Sequence, residues 1–330
     1  MQQDKLMVYA AYYDNEIRLS SSSGGVFSVL SEHMLHLGGV IYGVAMSDDC
    51  RVAEYIRVSS REEFYKLQGS KYLQAKMSDT LKNVKRDLED GLIVLFSGTG
   101  CQINGLKSFL QKEYKNLYCV DVVCHGVPSP AVWRKYVEER EFEYGCRLDK
   151  TLFRSKDVNW VDFGMKLYTK NGNNVFIPMK EDKFMTLFLS NYSLRPSCYQ
   201  CSAKNTKLAD ITIADFWGID SVAPEMNDNK GVSLVLIRTR KGKELFDRIK
   251  DIIKYRQVSY DEGVRGNPAE YKSVDKPFDR DDFFRDFISE KYTNKGGLDK
   301  LVKKYCSNKI IHVLKKRVKR MIQAFLNLLS

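Results

Sequence analysis

Two sets of residues in this chain have the types and spacing to do chemistry: four cysteines arranged as for a metal, and three donor-rich loops arranged as for an anionic cofactor. Cys101 sits in Ser97-Gly98-Thr99-Gly100-Cys101-Gln102 and Cys124 in Val123-Cys124-His125-Gly126, each just beyond an apolar, strand-like run. Downstream, Arg195-Pro196-Ser197-Cys198-Tyr199-Gln200-Cys201 carries a Cys-x-x-Cys. A tight turn brings both sulfurs of such a pair to one side, which is half of a four-thiolate site, so two more thiols must come from elsewhere in the fold. Cys101 and Cys124 are the natural complement, and the set reads as an iron–sulfur site. A structural zinc ion and plain core thiols are the two rival readings of the same residues. Cys50, Cys119, Cys146 and Cys306 have no partner at metal spacing. With no signal peptide and so few cysteines for its length, the chain does not read as a disulfide framework.

The loops are the second set. Ser21-Ser22-Ser23-Gly24-Gly25-Val26 opens a helix, where free backbone N–H groups, the helix dipole and serine hydroxyls point at one place and make an anion cradle. It matches neither the dinucleotide fingerprint nor the P-loop, and a serine N-cap is its plainer reading. Gly69-Ser70-Lys71-Tyr72 adds a cation and hydroxyls, and Ser97-Gly98-Thr99 is a third donor-rich turn, followed by Gln102. His125, with an unperturbed pKa near neutrality, is a candidate proton shuttle, and Asp215, before Phe216-Trp217-Gly218, a candidate hydrogen-bond acceptor.

The elements that position these groups alternate in the first half. Strands are expected at Leu6–Tyr13, Val40–Met46, Gly91–Ser97 and Leu117–Val123, and helices at Val26–Leu37, Arg61–Gln68, Thr80–Glu89 and about Gln102–Lys112. This predicts an α/β chain with a mostly parallel sheet and helices on both faces. Cys101 and Cys124 then follow the carboxyl ends of strands, the edge where ligands gather in open α/β sheets. Past the helix Ala131–Tyr144 the pattern becomes mixed and antiparallel, at Leu148–Arg154, Phe163–Thr169 and Asn174–Met179, with strands again around Asp210–Gly218 and Gly231–Thr239. The expected division is an α/β domain over 1–145, an α+β domain over 146–295 that completes the cofactor site, and a basic C-terminal helix over 296–330.

Within that last part, Ile310, Leu314, Val318, Met321, Ile322 and Phe325 fall on one helical face, and Lys315, Lys316, Lys319 and Arg320 on much of the other. The pattern suits an interfacial helix docking reversibly on an anionic membrane surface; a terminal helix packed on its own domain is the alternative. The formal net charge of +11 points to anionic partners of some kind, but no nucleic-acid-binding motif is present. No apolar run reaches the ~18–20 residues of a membrane span. A cytoplasmic place, peripheral at the inner membrane face, is the expectation.

Taken in order, Ser22-Ser23-Gly24-Gly25-Val26-Phe27, Gly69-Ser70-Lys71-Tyr72, Ser97 to Gln102, Cys124-His125-Gly126-Val127-Pro128-Ser129, Arg195 to Cys201 and Ile213-Ala214-Asp215-Phe216-Trp217-Gly218 resemble the coenzyme F420 hydrogenase/dehydrogenase beta subunit family. Asn267-Pro268-Ala269 and Phe283-Phe284 resemble its C-terminal block, so the likeness runs from about residue 6 to 290. The resemblance implies FAD and one 4Fe–4S cluster, the cluster on Cys101, Cys124, Cys198 and Cys201. It implies that the serine–glycine loop, Lys71 and the Ser97–Thr99 turn line the flavin site. Electrons would pass between a ferredoxin or deazaflavin-type carrier and a small-molecule substrate, with cell-envelope or polysaccharide biosynthesis as the expected setting. Two departures stand out: the chain begins at the Tyr9 strand without the ferredoxin-like segment of many relatives, and Gly100 stands where relatives often carry proline. The first expects a separate electron-carrier protein. A non-catalytic scaffold, zinc-bearing or metal-free, in a membrane-associated biosynthetic complex is the alternative function.

Overall fold

The computed structural model describes residues 6–13, 16–289, 292 and 296–306. The expected membrane-docking helix over residues 309–330 lies outside the described residues. Eleven strands are described: β1 (Met7–Tyr12), β2 (Val40–Met46), β3 (Ala53–Val58), β4 (Val94–Thr99), β5 (Leu117–Val122), β6 (Leu148–Ser155), β7 (Gly164–Thr169), β8 (Asn174–Pro178), β9 (Ile211–Asp215), β10 (Ser233–Ile237) and β11 (Lys254–Val258). Eight form one sheet in the order β11-β1-β10-β9-β5-β4-β2-β3, and β6-β7-β8 form a second.

The large sheet has a parallel centre: β2 pairs with β4, β4 with β5, and β5 with β9, all parallel. The remaining neighbours are antiparallel. Through β10, strand β1 points the same way as β9, so five strands end at one edge. The sheet draws strands from both sides of residue 145, since β9, β10 and β11 come after it.

Alternation along the strands explains the two covered faces. Tyr9 and Ala11 of β1 share a core with Leu95, Val120 and Val235 under the helices Val26–His36 and Arg240–Asp247. Val8 and Ala10 face the opposite side, with Phe216, Leu234 and Leu236. The helices Thr80–Glu89 and Gly100–Leu110 cover the Phe96 and Cys119 face. The fold is therefore α/β, with helices on both faces of a large mixed sheet. The second sheet packs with the helices Pro130–Tyr144, Lys183–Leu189 and Gly297–Tyr305 around Trp133, Phe153 and Phe184.

Strands β3 and β11, absent from the sequence expectation, are both sheet edges. β11 is exposed over most of its length, so its Lys-Tyr-Arg-Gln-Val carries no apolar alternation to find. The expected helix over residues 61–68 is one α turn, Arg61–Phe64, continued as 3₁₀ over Tyr65–Leu67.

Candidate active site

The thiols and the loops meet at the carboxyl edge of the large sheet. In the β4–β5 pair Thr99 stands opposite Val122, so the chain leaves both strands side by side. Cys101 falls in the first turn of the helix Gly100–Leu110, exposed, with its Sγ 3.2 Å from Thr99 Oγ1. Gln102 closes a capping box on Thr99: its Oε1 accepts from the Thr99 amide at 2.9 Å and from the Tyr55 hydroxyl at 3.0 Å. Cys124 follows β5, and the Cys198–Cys201 pair is carried by the 3₁₀ turn Pro196–Gln200.

Three contacts clasp the Cys-x-x-Cys segment against the other two thiols. The Val127 amide donates to Cys198 Sγ at 3.5 Å, and Lys204 Nζ donates to the Cys124 carbonyl at 2.5 Å. On the other side, a Cβ built on Gly100 would lie 3.3 Å from Ala203 Cβ, so a small residue lets the Cys101 helix approach the Cys201 segment closely. Burial pushes the Cys124 thiol up to about 12; Lys204 opposes this, and the charges of Cys198, Cys101 and Cys201 add to it. Burial also raises Cys198, which senses Cys101 and Cys201 in turn. The four thiols are thus electrostatic neighbours, and all eight cysteines of the chain are free. Among the described residues no three His, Cys, Asp or Glu side chains close on a single metal ion.

Beside the thiols lies a cavity of about 660 Å³, within the usual range for cofactor sites. It is lined by Ser22, Ser23, Gly25, Ser70, Lys71, Ser97, Gly98, Thr99, Gln102, Cys124, His125 and Asp215. Residues expected from three loops and two further motifs therefore face one space. Gly24 does not line it. A Cβ there would stand 2.4 Å from the Ala11 carbonyl oxygen and 2.8 Å from the Ser233 amide, so Gly24 seats the loop on β1 and β10. Cys101, Cys198 and Cys201 lie off the cavity wall, which leaves Cys124 as the thiol common to both groups.

The loop donors are tied to one another. Ser22 Oγ accepts from the Ser70 amide at 2.8 Å, and Ser23 Oγ donates to the Val232 carbonyl at 2.8 Å. The helix Val26–His36 starts at the N-cap Gly25 with no side-chain cap, and Val26, Phe27 and Ser28 at its first turn line the cavity. Amides at a helix start lack intrahelical acceptors, so the serine–glycine loop has the backbone donors of an anion cradle. Lys71 is not a solvated loop lysine. Its Nζ donates to the carbonyls of Lys66 and Gln68 at 2.9 and 2.8 Å, and burial lowers its pKa to about 7.

His125 Nε2–H donates to Asn191 Oδ1 at 2.7 Å, and burial lowers the imidazole below its ordinary range. The ring is neutral at pH 7, with Nδ1 as an acceptor. Asp215 is engaged at both oxygens: Arg154 Nη1 donates to Oδ2, and Trp160 Nε1 donates to Oδ1 at 2.9 Å. The Asn267 side chain also donates to the Asp215 carbonyl at 2.9 Å.

Arg154, Lys156 and Trp160 were not among the residues expected from sequence. Arg154 ends up in the cavity wall because β6 brings it across from the second sheet. Lys156 Nζ donates to the carbonyls of Arg18 and Ser23 at 2.9 and 2.8 Å and pins the serine loop. Arg18, fully buried, anchors the base of that loop through Asp228 at 2.8 and 2.6 Å. Arg154-Ser155-Lys156 follows an apolar strand run, and no spacing in the chain links it to Asp215, 61 residues on.

Residues 92–261 match the C-terminal part of the family described as coenzyme F420 hydrogenase/dehydrogenase, beta subunit, and residues 7–82 match its N-terminal part. The chain belongs to the coenzyme F420 hydrogenase/dehydrogenase beta subunit family. Of the cavity-lining residues expected from sequence, Ser22, Ser23, Gly25, Ser70 and Lys71 fall in the N-terminal match. Those from Ser97 to Asp215, and the four cysteines, fall in the C-terminal one. No curated protein matches the chain in sequence. Among solved structures, it is similar in fold to a chain of the xenon-derivatised F420-reducing [NiFe] hydrogenase complex from Methanosarcina barkeri. The TM-score is 0.51 at 19% identity, covering 77% of this chain and 82% of that one. No helix among the described residues is long and apolar enough to cross a membrane.

Proposed function

We propose that this chain is a flavin- and iron–sulfur-dependent oxidoreductase, passing electrons between a carrier, either a ferredoxin-like protein or a deazaflavin, and a small-molecule substrate. The observation that carries the reading is Cys124, which belongs both to the group of four neighbouring thiols and to the wall of the cavity. The residues fit the two groups. Four free cysteines, a Cys-x-x-Cys pair and two thiols that follow strand ends, are a donor set of the kind that holds an iron–sulfur cluster. Cys101, Cys124, Cys198 and Cys201 would hold the cluster.

The cavity, with its helix-start amides at Val26–Ser28, its joined serine loops and Lys71, would hold FAD. A flavin exchanges two electrons as a hydride and a cluster moves them singly, so a neighbouring pair links the two regimes. The protein's own part is to hold and orient. Lys156 and the Ser22–Ser70 bonds fix the loops, and Lys204 ties the Cys124 loop to the Ala269 carbonyl. His125 presents an acceptor at Nδ1, and Asp215 orients Arg154. Exposed Cys101 marks the side from which a carrier protein would reach the cluster.

The test is an ultraviolet–visible spectrum of protein purified without oxygen, with flavin, iron, zinc and acid-labile sulfide measured on the same sample. Flavin bands over a broad thiolate-to-iron absorption, with about four irons per chain, are expected. A colourless, flavin-free protein with zinc or no metal overturns the reading in favour of a scaffold.

A further inference from the structure

We propose that Arg154 is an anion-recognition fork, and that the substrate carries a carboxylate seated on its Nε–H and Nη2–H edge. The side chain is 2% exposed and lines the cavity. Only Nη1 is engaged, by Asp215 Oδ2. Nε and Nη2 are buried and take no hydrogen-bond partner among the described residues. Those two groups lie on one edge of the guanidinium plane, with parallel N–H vectors spaced as the two oxygens of a carboxylate.

The plane cannot turn freely. Its centre lies 4.1 Å from the Phe163 ring and 5.2 Å from the Trp217 ring, and Trp217 stacks on Trp160 at 5.1 Å and 4°. Trp160 in turn donates to the same Asp215. The fork is therefore held by aromatic rings and a carboxylate behind, and a flat anion fits such a slot better than a tetrahedral one. Neither open donor is exposed to water, so an arriving oxygen displaces no solvent from them. Tyr72 is the neighbour such a ligand would move aside: its hydroxyl lies close enough to Arg154 to interact with its charge and its N–H groups, without a hydrogen bond of good geometry to Nε or Nη2. The nearby cation Lys156 is already committed to three carbonyls.

The inference rests on the redox reading only in calling the ligand a substrate. Its test uses the full chain, flavin-free and flavin-loaded, titrated with acetate and with chloride at constant ionic strength. Tryptophan fluorescence reports binding, because two of the three tryptophans adjoin the fork. Saturable quenching by acetate but not chloride is expected in both forms. Arg154→Lys, which keeps the charge but loses the edge, should weaken acetate at least tenfold. Phe163→Leu, which leaves the Arg154–Asp215 pair intact, should weaken it severalfold and stands in if the lysine variant does not fold. Equal response to acetate and chloride in the wild type, or equal acetate affinity in a folded lysine variant, overturns the fork. Acetate binding that flavin abolishes would assign the edge to the flavin and overturn the substrate assignment. Flavin, iron and sulfide contents measured on the same samples decide the redox reading separately.

Discussion

Ser22 and Ser70 are joined twice: the Ser70 amide donates to the Ser22 oxygen at 2.8 Å, and the two hydroxyls lie 2.9 Å apart. The pair ties the loop after β1 to the loop before Tyr72, 48 residues later, at the rim of the cavity. Ser22→Ala removes both bonds. At about 1 kcal/mol each, this should weaken FAD binding to the flavin-free protein by about tenfold or more. Titration of flavin fluorescence measures it, and an unchanged affinity would show that the joined loops do not shape the flavin site.

Gly24 is a packing residue, so Gly24→Ala should act on stability before it acts on binding. The new methyl meets the Ala11 carbonyl and the Ser233 amide, both backbone atoms in paired strands that cannot yield cheaply. A loss of about 1–3 kcal/mol is expected in a denaturant melt. A neutral substitution would mean that the loop can lift off the sheet.

Asp215 is the counter-ion of a buried arginine. Arg154 is 2% and Asp215 15% exposed at the side chain, so Asp215→Asn leaves a buried guanidinium without its charge partner. The expected destabilisation is about 3–5 kcal/mol, against less than about 1 kcal/mol for His125→Gln, whose partner Asn191 can re-pair with an amide. Paired melts of the two variants decide it. Wild-type stability in D215N would show that Asp215 is not the counter-ion Arg154 needs, and would leave it a free hydrogen-bond acceptor.

Lys156 gives a pH dependence with a definite sign. Burial, helped by Arg154, lowers its pKa to about 7, whereas an unfolded lysine titrates near ~10.4. Between those values the unfolded chain binds the extra proton, so this group's contribution to stability rises with pH above about 7 and is lost as pH falls through it. The stability difference between wild type and Lys156→Met should therefore climb from about pH 7 to 9, with a slope on the order of 1 kcal/mol per unit. Melts of both proteins across that range measure it; a flat difference sinks the assignment.

Much of the fold and most of the cavity wall were legible in the chain, for a local reason. Leu117-Tyr118-Cys119-Val120 and Val94-Leu95-Phe96 read as buried strands, and the residues after a parallel strand must emerge at its carboxyl edge. That alone brought Ser97–Thr99, Cys124 and His125 to one side. The helix start after Gly25 and the Cys-x-x-Cys turn were equally local. Gly24 was misplaced because sequence does not distinguish a glycine that admits a ligand from one that admits a neighbouring strand.

What the sequence by itself determined is the set of thiols and donor loops and the sheet edge they leave from, since strand period, turn chemistry and Cys-x-x-Cys spacing act within a few residues. The tertiary structure alone decided which partners those groups meet. Arg154 reaches Asp215 across 61 residues and Lys156 reaches Ser23 across 133, because the end of β6 meets the end of β9 and the serine loop. Contacts of that span depend on how whole layers stack, and no periodicity within one strand or helix encodes them.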